Sequence, residues 1–309
     1  MSPHAWTEDQ LVEQPAIGLF AALGWQTVAA LDETLGAGGT LGRETRGEVV
    51  LTTRLRAALT RLNPGLPPEA VQTAIDELVR DRSAMSLEAA NREVYRLLKD
   101  GIAVSVPDRA HGGQKVERLR VVDWGEPANN DFLLVSQFSV VGSLYTCRPD
   151  LVGFVNGLPW VVVELKKPGV PARAAFDENL THYKQQVPQL LGFNALLIAS
   201  NGTDSRVGSL TADWERFFEW KRVEREDEPR RVSLEVMLRG TCDKGRLLDL
   251  VENFTLFSEH KAGLVKVLGQ NHQVLGVNNA IASMLQAREL GHGRGGVFWQ
   301  TQGSGKSFS

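Results

Sequence analysis

The stretch "PDLVGFVNGLPWVVVELKKP", residues 149–168, opens one apolar run with Asp150 and closes another with Glu164 and Lys166. Asn156-Gly157 between two apolar runs is a strong hairpin signal. A hairpin folds Asp150 back toward Glu164, although 13 residues lie between them. Side chains alternate along a strand, so Val162, Glu164 and Lys166 share one face and Val161, Val163 and Leu165 the other. Register then decides the chemistry. A two-residue Asn156-Gly157 loop pairs position 150 with 163 and turns Asp150 away from Glu164. A three-residue loop, or a bulge with Gly157 in the left-handed region, pairs 150 with 164. This second register is the one expected.

Two adjacent carboxylates repel, and burying them without a cation is costly. A Mg²⁺ ion removes that cost, because it takes carboxylate oxygens and keeps several waters. Such an ion polarises a phosphodiester and lowers the pKa of an attacking water. A nearby ammonium positions that water and stabilises charge developing on phosphorus. Asp150, Glu164 and Lys166 around a divalent ion therefore make a minimal nuclease site. An Asp followed somewhere by Glu-x-Lys is common by chance, and charges at a strand end also serve as edge gatekeepers. The apolar hairpin that brings the three together is what favours catalysis.

A second constellation lies at "GGVFWQTQGSGKSFS". Backbone N–H groups of a Gly-rich turn cradle phosphates, here at Gly303, Ser304 and Gly305. Lys306 would reach the β/γ-phosphates and the Ser307 hydroxyl a Mg²⁺. The match to G-x-x-x-x-G-K-[ST] is imperfect, since Gln300 stands at the first glycine. The strand-like "GVFW" before it favours a P-loop over a flexible Gly/Ser tail. With neither a following helix nor an acidic strand, ATP hydrolysis by these residues alone is not expected. The chain reads as the front part of something longer.

The elements that must position these groups are mostly legible from periodicity and turn residues. Helices are predicted over 8–23, with a cap or break at Pro15, and over 47–62, 68–82 and 86–99, with Ser86 as an N-cap and Gly101 as a stop. Strands are predicted over 116–123 and 131–141 and at 195–200, a helix over 174–187, and an amphipathic aromatic segment over 212–221. Helices are expected again over 245–261 and 261–290. The charged stretch "KRVEREDEPRR" at 221–231 is taken as a boundary between domains 1–230 and 231–309.

The 309 residues are 42% hydrophobic and 23% charged, the composition of a globular protein that builds a core without cross-links. Net charge is −3, so no global basic field advertises nucleic acid. Arg43, Arg46, Arg54, Arg56 and Arg61 form a local basic stretch, read first as a solvated helix face. Cys147 and Cys242 have neither metal-site nor disulfide-framework spacing. No membrane-length apolar run and no signal peptide are present, so a cytoplasmic location is expected.

A nuclease-type hairpin followed by a helicase-type P-loop resembles the restriction (R) subunit of type I restriction-modification enzymes. The matching stretches are "NDFLLVSQFSV", "RPDLVGFVNGLPWVVVELKKP", "LLIASNGTDSRVGS" and "VFWQTQGSGKS", and the likeness covers nearly the whole chain. It implies an α/β fold: a PD-(D/E)xK nuclease-like mixed sheet flanked by helices, then the beginning of a RecA-like P-loop domain. It implies Mg²⁺-dependent, nonspecific cutting of double-stranded DNA, with Asp150 and Glu164 as metal ligands and Lys166 as the catalytic lysine. The family's Gln-x-x-x-Tyr element maps to Asn179 and Tyr183, with Asn in place of Gln. Glu13, or less directly Glu8, resembles the family's early helical metal ligand. Gln273 resembles the adenine-reading glutamine upstream of the P-loop, which would bind ATP in the full-length subunit. The implied partners are methyltransferase and specificity subunits. Two other functions stay open: a DNA motor in which the hairpin is only structural, and a DNA-binding module without activity.

Overall fold

The structure, a computed structural model, describes residues 9–108, 111–225, 227–261, 263–291 and 293–296. The described residues begin with a π-helical segment, Asp9–Glu13, running into α1 (Gln14–Ala22), then β1 (Gln26–Ala29). Three helices follow: α2 (Thr52–Leu62), α3 (Pro68–Val79) and α4 (Leu87–Asp100). Then come β2 (Ile102–Pro107), β3 (Gln114–Leu119), β4 (Phe132–Ser136), β5 (Val140–Val141), β6 (Thr146–Cys147), β7 (Leu151–Val155) and β8 (Leu158–Leu165). A π-helical segment, Ala175–Leu180, continues into α5 (Thr181–Gln186), with α6 (Pro188–Leu191) behind it. The remainder is β9 (Leu196–Ser200), β10 (Ser205–Gly208), β11 (Phe218–Glu219), α7 (Ser233–Thr241), α8 (Lys244–Asn253), β12 (Thr255–His260), β13 (Gly263–Leu268) and α9 (Asn271–Glu289).

Seven strands form one mixed sheet in the order β1-β4-β7-β8-β9-β10-β11. β8 sits at its centre, antiparallel to β7 and parallel to β9. All eight β8 residues, "LPWVVVEL", are buried, as befits a β-branched run covered on both faces. Returning from β8 to a parallel neighbour requires a crossover. The helical stretch 175–186 supplies it and lies against β8 and β9. α1 packs on β1 and β4, and α7 on α1 and β10.

The β7–β8 turn is a two-residue one. Asn156 (φ 51°) and Gly157 (φ 80°) both take the left-handed region, the requirement of a type I′ hairpin. Asn156 is fully buried and ties the turn to the rest: its Nδ2 donates to Val121 O and Asn130 Oδ1, both at 2.9 Å, and its Oδ1 accepts from Asp131 N at 2.7 Å. The tight turn alone would pair 150 with 163, but a bulge intervenes. Val155 faces Leu158 and Phe154 faces Pro159, whereas Gly153 faces Val161 and Leu151 faces Val163. Trp160 is thus the extra residue, and beyond it Asp150 stands opposite Glu164. The register is the expected one, but the bulge lies three residues past Gly157.

Several expectations need correction. The aromatic segment 212–221 is a 3₁₀ turn (Trp214–Arg216) followed by the edge strand β11. Residues 255–268 form the β12–β13 hairpin, not part of two helices. β1, a parallel strand beside β4, was not expected at all. The basic stretch is not a solvated face throughout. Arg43 is buried in an ion pair with Glu33 at 2.6 Å, Arg54 reaches Asp131 at 2.9 Å, and Arg61 donates to Asn129 O at 3.0 Å. Leu234, Met237, Leu247, Leu250 and Val274 belong to the same apolar cluster as Val12, Trp25 and Val162. Among the described residues, no helix is long and apolar enough to cross a membrane.

Candidate active site

The end of β8 gathers the predicted charges. Glu164 is 3% exposed, and one of its carboxylate oxygens accepts a hydrogen bond from the Tyr183 hydroxyl at 3.0 Å. Asp150 Oδ2 accepts from the Leu165 backbone N–H at 2.7 Å, so its carboxylate is fastened to the strand that carries Glu164. Lys166 leaves the strand end half-buried. Its Nζ donates to Asn179 Oδ1 at 2.8 Å and lies 3.8 Å from Glu178. Asn179 and Tyr183 therefore reach the same strand end, one steadying the lysine and the other the glutamate. Asn179 is one methylene shorter than Gln but still meets Lys166.

The helix changes pitch between them: residues 175–180 are π-helical and 181–186 α-helical, and π-turns are frequent at functional sites. Burial is the first cause, and the Asp150 charge the second, that pushes the Glu164 carboxyl well above its ordinary value, against the opposing Tyr183 hydrogen bond and Lys166 charge. The Tyr183 hydroxyl is itself raised by burial and then by Glu164, so it acts as a fixed donor.

Glu13 enters through a residue that the sequence did not single out. Gln137 Nε2 donates to both Glu13 oxygens at 3.0 Å and lies 3.5 Å from Asp150 Oδ1. Gln137 also donates its backbone N–H to Asp150 O at 2.8 Å, and its φ is 58°. A non-glycine residue held in the left-handed region is a strained position of the kind that clusters at functional sites. The only sequence signal is a polar residue directly after a fully buried strand, "FLLVSQ". Glu13 thus lies across the Gln137 amide from Asp150. Glu8 and the residues Gly303, Ser304, Gly305, Lys306 and Ser307 lie outside the described residues.

Gln273 has a structural occupation. Its Oε1 accepts the Gln270 N–H at 2.8 Å, and the Gln270 side chain returns a bond to the Gln273 N–H, a reciprocal cap at the start of α9. Cys147 and Cys242 are buried free thiols. Among the described residues, no group of three or more His, Cys, Asp or Glu side chains is placed to hold a metal ion. A pair of carboxylates is nevertheless a sufficient protein contribution for Mg²⁺, which keeps most of its waters. The Asp150–Glu164 pair fits that ion, because it is all-oxygen and one member is buried at the expense of its charge.

A mixed sheet flanked by helices, with paired acids and a lysine at the end of a central strand, is a nuclease-like α/β domain. The family description "Type I restriction enzyme R protein N terminus" matches residues 6–216, and the chain belongs to that family. It is 36% identical over 308 residues to the type I restriction enzyme HindI endonuclease subunit of Haemophilus influenzae, covering 96% of this chain and 29% of that protein. It is 27% identical to the putative MjaIXP endonuclease subunit of Methanocaldococcus jannaschii, covering 98% of this chain and 30% of the relative. A Staphylococcus aureus endonuclease subunit, SauMSSORF170P, is also 27% identical, over 70% of this chain and 22% of its own. The chain thus spans under a third of the length of these relatives.

Proposed function

We propose that this chain is the DNA-cutting region of a type I restriction R subunit, a Mg²⁺-dependent endonuclease that cleaves double-stranded DNA without reading sequence at the cut. The observation that carries it is the meeting of Asp150, Glu164 and Lys166 at one end of a buried central strand. Asp150 and Glu164 would hold the ion, with Glu13 behind Gln137 adding negative charge to the cluster. Bound there, Mg²⁺ supplies Lewis-acid polarisation of the scissile phosphate and a more acidic water. Lys166 would orient the attacking water and stabilise the charge that builds on the phosphoryl oxygens. Asn179 fixes the direction of the ammonium, and Tyr183 fixes the Glu164 rotamer. In the longer protein the residues from Gly303 to Ser307 would bind ATP, and the assembly would include methyltransferase and specificity subunits in the cytoplasm. Gln273 could reach adenine only by leaving its capping bond.

The test uses the intact subunit on circular DNA, with cleavage and ATPase followed together. Glu164→Ala and Lys166→Ala are expected to abolish cutting, by at least about 100-fold each, while ATPase activity survives. Lys306→Ala is expected to stop ATPase activity and any cutting that depends on translocation. Normal cutting by Glu164→Ala would reject the nuclease assignment and leave the motor with a structural hairpin as the better account.

A further inference from the structure

Beyond the acidic pair, the same end of the sheet carries a basic cleft. β9 runs parallel to β8, so Ser200 ends beside Leu165, and Lys166 N donates to Ser200 O at 2.8 Å. The turn that follows is tied by its own side chain: Asn201 Oδ1 accepts from Thr203 N at 3.0 Å and Asp204 N at 2.8 Å, and Asn201 Nδ2 donates to Val170 O at 2.7 Å. Thr203 and Asp204 form one wall of a cleft of about 860 Å³. β10 starts at this end and β11 finishes at it, with Arg206 facing Glu219. The chain then continues as Lys221-Arg222, which line the cleft.

Among the described residues, Arg206, Lys221, Arg222, Arg230 and Arg231 line the cleft with Asp204 and Glu219; Arg206 pairs with both carboxylates, at 3.3 and 3.7 Å, and Arg231 with Glu235 at 3.5 Å. That local excess of positive charge stands in a chain whose net charge is −3. The floor is pre-organised. Asn271 Oδ1 accepts from the N–H groups of Lys221 and Arg222, both at 3.1 Å, and its Nδ2 donates to Arg222 O at 2.8 Å. Ser233 and His272, in the first turns of α7 and α9, also line it, with Trp220, Val236 and Leu275, and helix starts add partial positive charge.

We infer that this cleft grips the phosphate backbone of the DNA segment next to the cut, a role that rests on the nuclease assignment above. The dimensions agree. β11 lies three strand spacings from β8, about 14 Å at ~4.8 Å each. That is about four nucleotides along one strand at ~3.4 Å of helix axis per phosphate. A duplex with one phosphodiester at Glu164 and Lys166 would lay its next phosphates over the 201–204 turn and into the arginines. The cleft reads charge and not bases, which suits cutting without sequence preference at the cut.

The experiment measures binding of the 309-residue chain to a fluorescent 30-base-pair duplex in EDTA, across a salt series. Each lost phosphate contact lowers the slope of log K against log salt by ~0.9. Combined Lys221→Ala, Arg222→Ala, Arg230→Ala and Arg231→Ala is expected to lower the slope by about 3 to 4. The charge-preserving Arg222→Lys, Arg230→Lys and Arg231→Lys set keeps it, as does Lys115→Ala with Arg118→Ala on the separate β2–β3 hairpin. An unchanged slope in the quadruple variant overturns the cleft, and so does an equal drop in the β2–β3 control. ATP that binds wild type but not the quadruple variant, with DNA binding unaltered, marks a nucleotide pocket and also overturns it. Because binding is read without metal, cutting by Glu164→Ala would remove the nuclease assignment while leaving the slope to be judged separately.

Discussion

At the scale of single residues, Glu164 is the group whose chemistry is most constrained. Its carboxyl is raised by burial and by Asp150, so the folded, metal-free chain keeps a proton that the unfolded chain releases. Where the folded state binds more protons, stability falls as pH rises. Unfolding free energy is therefore expected to drop as pH climbs from the ordinary glutamate value, 4.5, through the raised folded one, and Glu164→Gln to remove that drop. Mg²⁺ requires the carboxylate, so its binding is expected to release protons and tighten as pH rises over the same window. Titration calorimetry in buffers of different ionisation enthalpy reads this directly, and binding without proton release would contradict the raised carboxyl. Asn179 acts through Lys166: Asn179→Ala is expected to lower cleavage about 10- to 100-fold and Asn179→Gln to restore most of it, with DNA affinity unchanged. Equal losses in both variants would make Asn179 a packing residue. Asp150, Glu164 and Lys166 were legible because strand alternation and one turn fix where they point. Gln137 was not, because its role comes from a left-handed backbone and from neighbours 124 and 13 residues away in sequence.

At the scale of elements, the hairpin shows what pattern can and cannot supply. Asn156-Gly157 announced the turn, and the need to bring two acids together selected the register. The position of the bulge depended on packing: Trp160 is fully buried and stacks with Trp124 at 6.0 Å between ring centroids, a tertiary fact that no local pattern carries. One segment differs from its expected helix because its apolar spacing suits either structure: Leu264, Val265, Val267 and Leu268 fall at helical intervals, yet they pair as a strand. Gly157 is the residue on which the β7–β8 turn depends. Its φ is 80°, and a Cβ there would lie 2.6 Å from Leu51 O and 2.8 Å from Leu55 N, at the start of α2. Gly157→Ala is expected to destabilise the chain by more than about 1 kcal/mol in chemical denaturation. The accompanying rearrangement should weaken the Asp150–Glu164 pairing, so that Mg²⁺ affinity falls as well. A stable Gly157→Ala chain with unaltered Mg²⁺ affinity would show that the turn can open without moving the site.

At the scale of the whole molecule, one apolar cluster joins residues on both sides of the charged stretch 221–231. Trp25 Nε1 donates to Cys242 O at 2.9 Å, tying the first strand to α7. The β12–β13 hairpin is tied in by Lys266, whose Nζ is held by Asn91 Oδ1 at 3.0 Å and by Asn194 O at 2.5 Å. The sequence could not reveal this, since a lysine in "GLVKVL" reads as the exposed side of an element. Lys266 is 3% exposed, and burial pulls its amine down to about 7 from 10.5. The unfolded chain thus holds a proton between about 7 and 10.5 that the folded chain lacks, and stability rises with pH where the unfolded state binds more protons. Unfolding free energy is expected to increase from pH 7 to pH 10 in wild type and to level off below pH 7. Lys266→Met keeps much of the shape and cannot titrate, and Asn194 O retains the Asn91 amide at 2.9 Å, so this variant should fold. The difference between the wild-type and Lys266→Met curves, from urea denaturation at each pH, isolates the lysine from other groups that titrate in the window. A difference that grows with pH shows an amine buried neutral at the junction between α4, β9 and the hairpin. Parallel curves would mean that Lys266 reaches water in solution, and that the hairpin closing this side of the core opens far more readily than its packing implies.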